Sequence, residues 1–137
     1  MDIKQIKVTA FKAIIHLGLH WHYTDQLISK SEVIGAVQDY QKKKIANNEI
    51  SLSVSLKESQ IVFADQVEPH LEISIINYPK FPLTADKLKR ATLELAEHLM
   101  IVFIQNRIVI EYPDETLMLE ATSDLDPNVS KYTNHER

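Results

Sequence analysis

Only two glycines, Gly18 and Gly35, occur in 137 residues, where average usage of about 7% would supply roughly nine or ten. Glycine is what lets a backbone turn through left-handed conformations and approach a phosphate closely. A Walker loop needs two glycines around its phosphate cradle and a dinucleotide fingerprint needs three. Neither is possible with glycines at 18 and 35, so the common nucleotide folds are excluded at the outset. The sharp exits of the chain must fall instead to asparagine and proline.

Cysteine is absent, which removes disulfide frameworks, thiolate metal sites and cysteine nucleophiles together. The chain therefore suits a reducing compartment, and a cytoplasmic location is expected. No run of 18 apolar residues occurs, so no membrane association is expected. The net charge is −4, the wrong sign for a general nucleic-acid binder. Its distribution is uneven: residues 1–50 carry seven lysines and five acids, and the rest eight basic and fourteen acidic groups.

Two periodicities compete at the N-terminus. Ile3, Ile6, Ala10, Ala13, Ile14 and Leu17 make a helical stripe, with Asp2 and Gln5 as a capping box. From Ile15 onward, Ile15, Leu17, Leu19, Trp21 and Tyr23 alternate against His16, Gly18, His20 and His22 in the manner of a strand. A helix over Asp2–His16, stopped at Gly18 and followed by a strand Leu19–Tyr23, reconciles them. A second helix capped at Thr24 or Ser31 runs to Ala46, with Asn47-Asn48 as its exit. Gly35 inside it predicts close packing against another element.

Ile50, Leu52, Val54 and Leu56 alternate with serines and predict a strand, Lys57–Gln60 a turn, Gln60–Ala64 a second strand and His70–Tyr78 a third. Thr84 caps a helix carrying Leu88, Ala91, Leu95 and Leu99, widened by Leu93, Met100 and Ile104 and stopped at Asn106. Arg107–Tyr112 and Leu117–Glu120 close the pattern as a hairpin. The expected fold is α+β: a mainly antiparallel sheet of about four to five strands, with two to three helices packed on one face, in a split β-α-β-like order. Residues 1–120 form the single domain, and 121–137 a loosely ordered tail.

The chemistry offered is sparse. His16, His20 and His22 are the one local concentration of ligands, and a shared strand face with a third-party carboxylate would suit a divalent metal. No serine sits in a nucleophile elbow, and the acids Glu111, Asp114, Glu115 and Glu120 surround an exposed turn. Lys87, Lys89, Arg90 and Arg107 are basic groups that can face that turn. The favoured expectation is a non-catalytic module that acts by homo-oligomerisation or by binding a protein partner or small ligand. The alternative is a small metal-binding protein or enzyme built on His16, His20 and His22.

Overall fold

Strand alternation, not helical periodicity, wins at the N-terminus. The computed structural model describes residues 1–129, and within it β1 spans Lys12–Gly18. Ala13, Ile15 and Leu17 are wholly buried on one face while His16 and Gly18 lie on the other. Residues 1–11 are neither helix nor strand, so the expected helix over Asp2–His16 is corrected. Its stripe included Ile3 and Ile6, both exposed, whereas the alternating set Phe11, Ala13, Ile15, Leu17 and Leu19 is buried throughout. A two-residue period buries every apolar side chain of this segment on one sheet face, which a helix cannot do. The strand expected over Leu19–Tyr23 is likewise a turn-rich loop, with one isolated bridge from His20 to Leu27.

Helix α1 covers Lys30–Ala46. Its cap is Ser29, not Thr24 or Ser31: the Ser29 hydroxyl accepts from the Glu32 backbone N–H, and the Glu32 carboxylate accepts from the Ser29 N–H. That reciprocal pair satisfies two otherwise orphaned donors. Gly35 has nothing within 4 Å of where a Cβ would stand, so the close contact expected there does not exist.

Strand β2 spans Ser55–Phe63 and β3 Gln66–Ile76. The strand expected at Ile50–Leu56 thus starts later, and Lys57–Gln60 lies within it. The turn falls at Ala64 and Asp65, with Ala64 in the left-handed region at φ 55°. Helix α2 spans Ala85–Val102 with Thr84 as its cap, as the sequence predicts, and buries Leu88, Thr92, Leu95, Ala96 and Leu99. Strands β4, Arg107–Glu111, and β5, Thr116–Glu120, form the last hairpin.

The five strands are ordered β2-β3-β1-β4-β5, every neighbouring pair antiparallel. This is the expected α+β architecture. One face of β1, β3 and β4 joins the inner sides of α1 and α2 in a continuous apolar core. Lys89 of α2 reaches Asp114 at 2.7 Å in the β4–β5 turn, so that basic cluster does meet the acidic hairpin. Among the described residues no helix is long and apolar enough to cross a membrane.

Both helices end in the same hydrogen-bonded closure. In α1 the N–H of Glu49 reaches Lys44 O at 2.9 Å, with Asn48 at φ 57°. In α2 the N–H of Gln105 reaches Met100 O at 2.9 Å, with Ile104 at φ 50°. The exit through Asn47-Asn48 matches the sequence reading, but the stop placed at Asn106 belongs to Ile104. A β-branched residue in that conformation is strained by roughly 1–2 kcal/mol. Of the tail beyond residue 120, the segment 121–124 is hydrogen-bonded to Asn106, and residues 130–137 lie outside the described chain.

Two substitutions of opposite sense follow from these backbone positions. Gly35→Ala gains about 0.5–1 kcal/mol, because a helical glycine with open space around it contributes only unfolded-state entropy. Ile104→Gly gains about 1 kcal/mol by relieving the left-handed isoleucine, whose side chain is 60% exposed and loses little burial. Urea denaturation of each variant against the parent checks both signs.

Candidate functional site

The helices cover one face of the sheet, so polar side chains collect on the other. Cross-strand register assigns them: Ser59 is opposite His70, Ile61 opposite Glu68, and Phe63 opposite Gln66 across β2 and β3. His70 is in turn opposite Gly18 of β1, and His16 is opposite both Glu72 of β3 and Val109 of β4. Residues directly opposite share a face. The open face therefore carries His16, Gly18, Ser59, Glu68, His70, Arg107 and Glu111.

At one end of this face lies a cavity of about 440 Å³, within the range of small-ligand sites. Its floor includes His16, Gly18, Glu68, His70 and Val109; Ile61, Phe63 and Val67 give it an apolar side, and residues 19–25 and 125–129 rise around it. The loop after β1 is held in place by backbone bonds from Leu19 N to Pro69 O at 3.0 Å and from Ile28 N to Leu19 O at 2.8 Å. Trp21 anchors it to the core against Phe103, with ring centroids 5.4 Å apart.

Gly18 acts here by smallness. A Cβ at Gly18 would stand 3.1 Å from Gln105 Oε1 and 3.7 Å from His70 Nε2, and its φ is not positive. Gln105 is delivered to this spot by the strained Ile104, and its Nε2 donates to His20 O at 2.7 Å and to Phe103 O at 2.9 Å. Asn106, buried, is the second lock. Its amide donates to the Tyr23 hydroxyl and to the carbonyls of Thr122 and Asp124, and its Oδ1 accepts from Thr122 N at 2.9 Å. Arg107 adds a bond to the Tyr23 hydroxyl at 2.7 Å and an ion pair with Glu120 at 2.7 Å. Loop, tail and β4 are thereby tied at one wall of the cavity.

The three histidines singled out by the sequence all line this cavity, yet each is engaged separately. His16 Nε2 donates to Glu111 at 2.7 Å, His20 Nδ1 donates to Thr24 O at 2.8 Å, and His22, left-handed at φ 49°, stacks on Tyr23 with centroids 4.5 Å apart. Only His16 lies on β1, so the shared strand face expected of the trio is not formed. Among the described residues no three His, Asp or Glu side chains are arranged to hold a metal ion. The histidine placed centrally is His70. Burial holds its pKa below the ordinary histidine value, against the opposing pull of Glu68, 3.6 Å away. His70 is thus neutral at pH 7, where it is able to accept or relay a proton. Glu68, His70, Gln105 and Asn106 are contributions the sequence reading did not assemble. The strand expected from His70 onward left Glu68 outside it, whereas β3 begins at Gln66 and carries both; the cross-strand neighbours of those residues were not visible in the sequence.

No protein-family model and no curated protein sequence matches the chain. Among solved structures, it is similar to a phage SAM lyase in complex with S-methyl-5′-thioadenosine, with a TM-score of 0.67 and 17% identity over 91% of this chain and 100% of that one. The phage SAM lyase in its apo state matches with a TM-score of 0.65 and 17% identity, over 90% of this chain and all of the other. The likeness is one of fold and spans nearly the whole domain. It runs against the expectation of a non-catalytic module, since both of these structures on the same fold are of a phage SAM lyase. That expectation rested on the absence of a contiguous catalytic motif. Here the candidate side chains come from four strands and are contiguous only in space.

The depressed His70 pKa has a thermodynamic consequence. On unfolding His70 returns to about 6.5, so below that pH the unfolded chain binds more protons than the folded one. Stability is full above about pH 6.5 and falls as pH drops through the window down to the lowered folded value. His98, lowered by burial and by Lys43, acts in the same sense. The melting temperature is expected to fall between about pH 7.5 and pH 5, and His70→Asn to flatten that slope. An unchanged slope in the variant contradicts the assignment.

Proposed function

We propose that this chain is a cytoplasmic enzyme that binds S-adenosylmethionine (SAM) in the cavity on the open sheet face and cleaves it with release of S-methyl-5′-thioadenosine. The observation that carries the reading is the whole-domain likeness to a phage SAM lyase bound to that thioether, coinciding with a cavity of ligand size lined by titratable groups. The absence of cysteine supports the reducing compartment.

S-methyl-5′-thioadenosine keeps the methyl group, the sulfur and the 5′-carbon of SAM. Its release therefore breaks the bond from sulfur to the γ-carbon of the methionine portion. The electron pair stays on sulfur, which passes from sulfonium to neutral thioether, while an oxygen of the methionine portion's own carboxylate takes its place on the γ-carbon and closes a five-membered lactone. No outside reactant is needed, and the leaving group is activated before it reaches the protein. What the protein must supply is orientation and a suitable electrostatic surround. Phe63, Ile61 and Val67 provide an apolar side suited to the adenine ring, Asp25 provides a carboxylate suited to a sulfonium or ammonium charge, and Glu68 provides a second carboxylate able to accept hydrogen bonds from the bound molecule. His70, kept neutral by burial, lines the same cavity and adds a polar group beside Glu68.

The test is direct. Purified protein at micromolar concentration, incubated with millimolar SAM, is expected to release S-methyl-5′-thioadenosine, detected by liquid chromatography and mass spectrometry above the spontaneous background. Glu68→Gln is expected to lower the rate by about tenfold or more, the scale of losing a hydrogen bond to a charged group. No release above background, with no binding of the thioether by calorimetry, would remove the proposal.

A further inference from the structure

Two buried side-chain polar atoms lack a hydrogen-bond partner among the described residues: Ser59 Oγ and His70 Nδ1. They belong to residues directly opposite each other on β2 and β3. Opposed residues on one face hold their Cβ atoms about 4.5–5.5 Å apart, so the hydroxyl and the imidazole are carried by neighbouring side chains across the two strands. Leaving either buried and unpaired costs about 1–3 kcal/mol, and each is the chemical complement of the other. The other ring nitrogen, His70 Nε2, faces the Glu68 carboxylate at 3.6 Å. A carboxylate accepts only, which favours the proton on Nε2 and leaves Nδ1 to accept from Ser59. Burial keeps the ring neutral, so it holds one N–H.

We propose that Ser59, His70 and Glu68 form a hydroxyl-recognition subsite, in which Ser59 fixes His70 as the Nε2–H tautomer so that an N–H donor and a carboxylate acceptor stand side by side in the cavity. The gap of 3.6 Å between Nε2 and Glu68 Oε2 is too long for a direct hydrogen bond. An alcohol both donates and accepts, and a vicinal diol does so twice. The subsite therefore fits a ribose, and on the reading of the cavity given above it takes the 2′ and 3′ hydroxyls of the adenosine portion. Ser59 is not among the residues lining the cavity; it acts through His70 as a positioning residue. Gly18 lies beside the imidazole, where a Cβ would stand in ordinary van der Waals contact with Nε2 at 3.7 Å.

Two measurements decide this, and the first needs no ligand. In the ¹⁵N-imidazole spectrum of the free protein at neutral pH, His70 is expected to show a protonated Nε2 and an unprotonated Nδ1. Ser59→Ala is expected to mix the tautomers, and Ser59→Thr, which keeps the hydroxyl on a β-branched side chain suited to a strand, to restore the single form. A protonated Nδ1 in the parent protein, or a spectrum unchanged by Ser59→Ala, overturns the arrangement. Calorimetry then compares S-methyl-5′-thioadenosine with its 2′-deoxy and 3′-deoxy analogues, expected to bind about tenfold more weakly. Equal affinity for all three overturns the ribose assignment. Failure of S-methyl-5′-thioadenosine itself to bind overturns the proposed function instead, and the imidazole spectrum still decides the Ser59–His70 pairing.

Discussion

The structure depends on the burial of one face of β1. Ala13, Ile15 and Leu17 have no solvent exposure, and the strand that carries them is the middle one of five. Strand pairing on both sides uses up its backbone donors and acceptors, while its apolar face meets the helices. Everything else is arranged around that commitment: β3 and β4 flank it with Leu71, Ile73, Ile75, Ile108 and Ile110, and α2 seals the layer with Leu88, Leu95 and Leu99. Because strands alternate, burying these residues forces their neighbours to the opposite side. His16 and Gly18 are on the open face for this reason, as are Glu68 and His70.

The cavity is accordingly a product of sheet geometry sharpened by a few local constraints. The ends of β1 and β2 and the beginnings of β3 and β4 converge on it. Gly18 leaves room for Gln105, Ile104 takes a strained conformation that delivers Gln105, and Asn106 fastens the loop at Tyr23 to the segment at 122–124. Strain concentrated beside a cavity and outweighed by a surrounding hydrogen-bond network is a pattern common to binding sites.

The fold class and the main helix α2 were legible in the sequence because their signals are local: Thr84 as a cap, apolar residues at steps of three and four, alternation in 71–75. The segment 2–17 was not, because its short apolar run satisfied two periods at once and only tertiary burial separates them. The cap of α1 was misplaced for a similar reason. Thr24, Ser29 and Ser31 are all acceptable caps, and Ser29 prevails because Glu32 completes the reciprocal pair. At the site, the cluster of His16, His20 and His22 was visible as spacing. Its meaning changed once His22 turned left-handed and His20 left the strand, giving the centre to His70, whose partners Gly18 and Ser59 come from other strands. Register between distant strands is the information a single sequence holds least openly.

The strand order also sets the sequence of events by which the chain must assemble. Its two edges are hairpins between successive strands, β2 with β3 and β4 with β5, each closing across a short turn. The middle strand has no such neighbour: Lys12 pairs with Ile76, and His16 with Val109. The loop-closure entropy for those contacts is large and is recovered only when the central layer docks. Two quickly forming ribbons awaiting an N-terminal strand to join them make that strand the slow step. The floor of the cavity, which needs β1, β3 and β4 together, is consequently among the last parts of the molecule to exist.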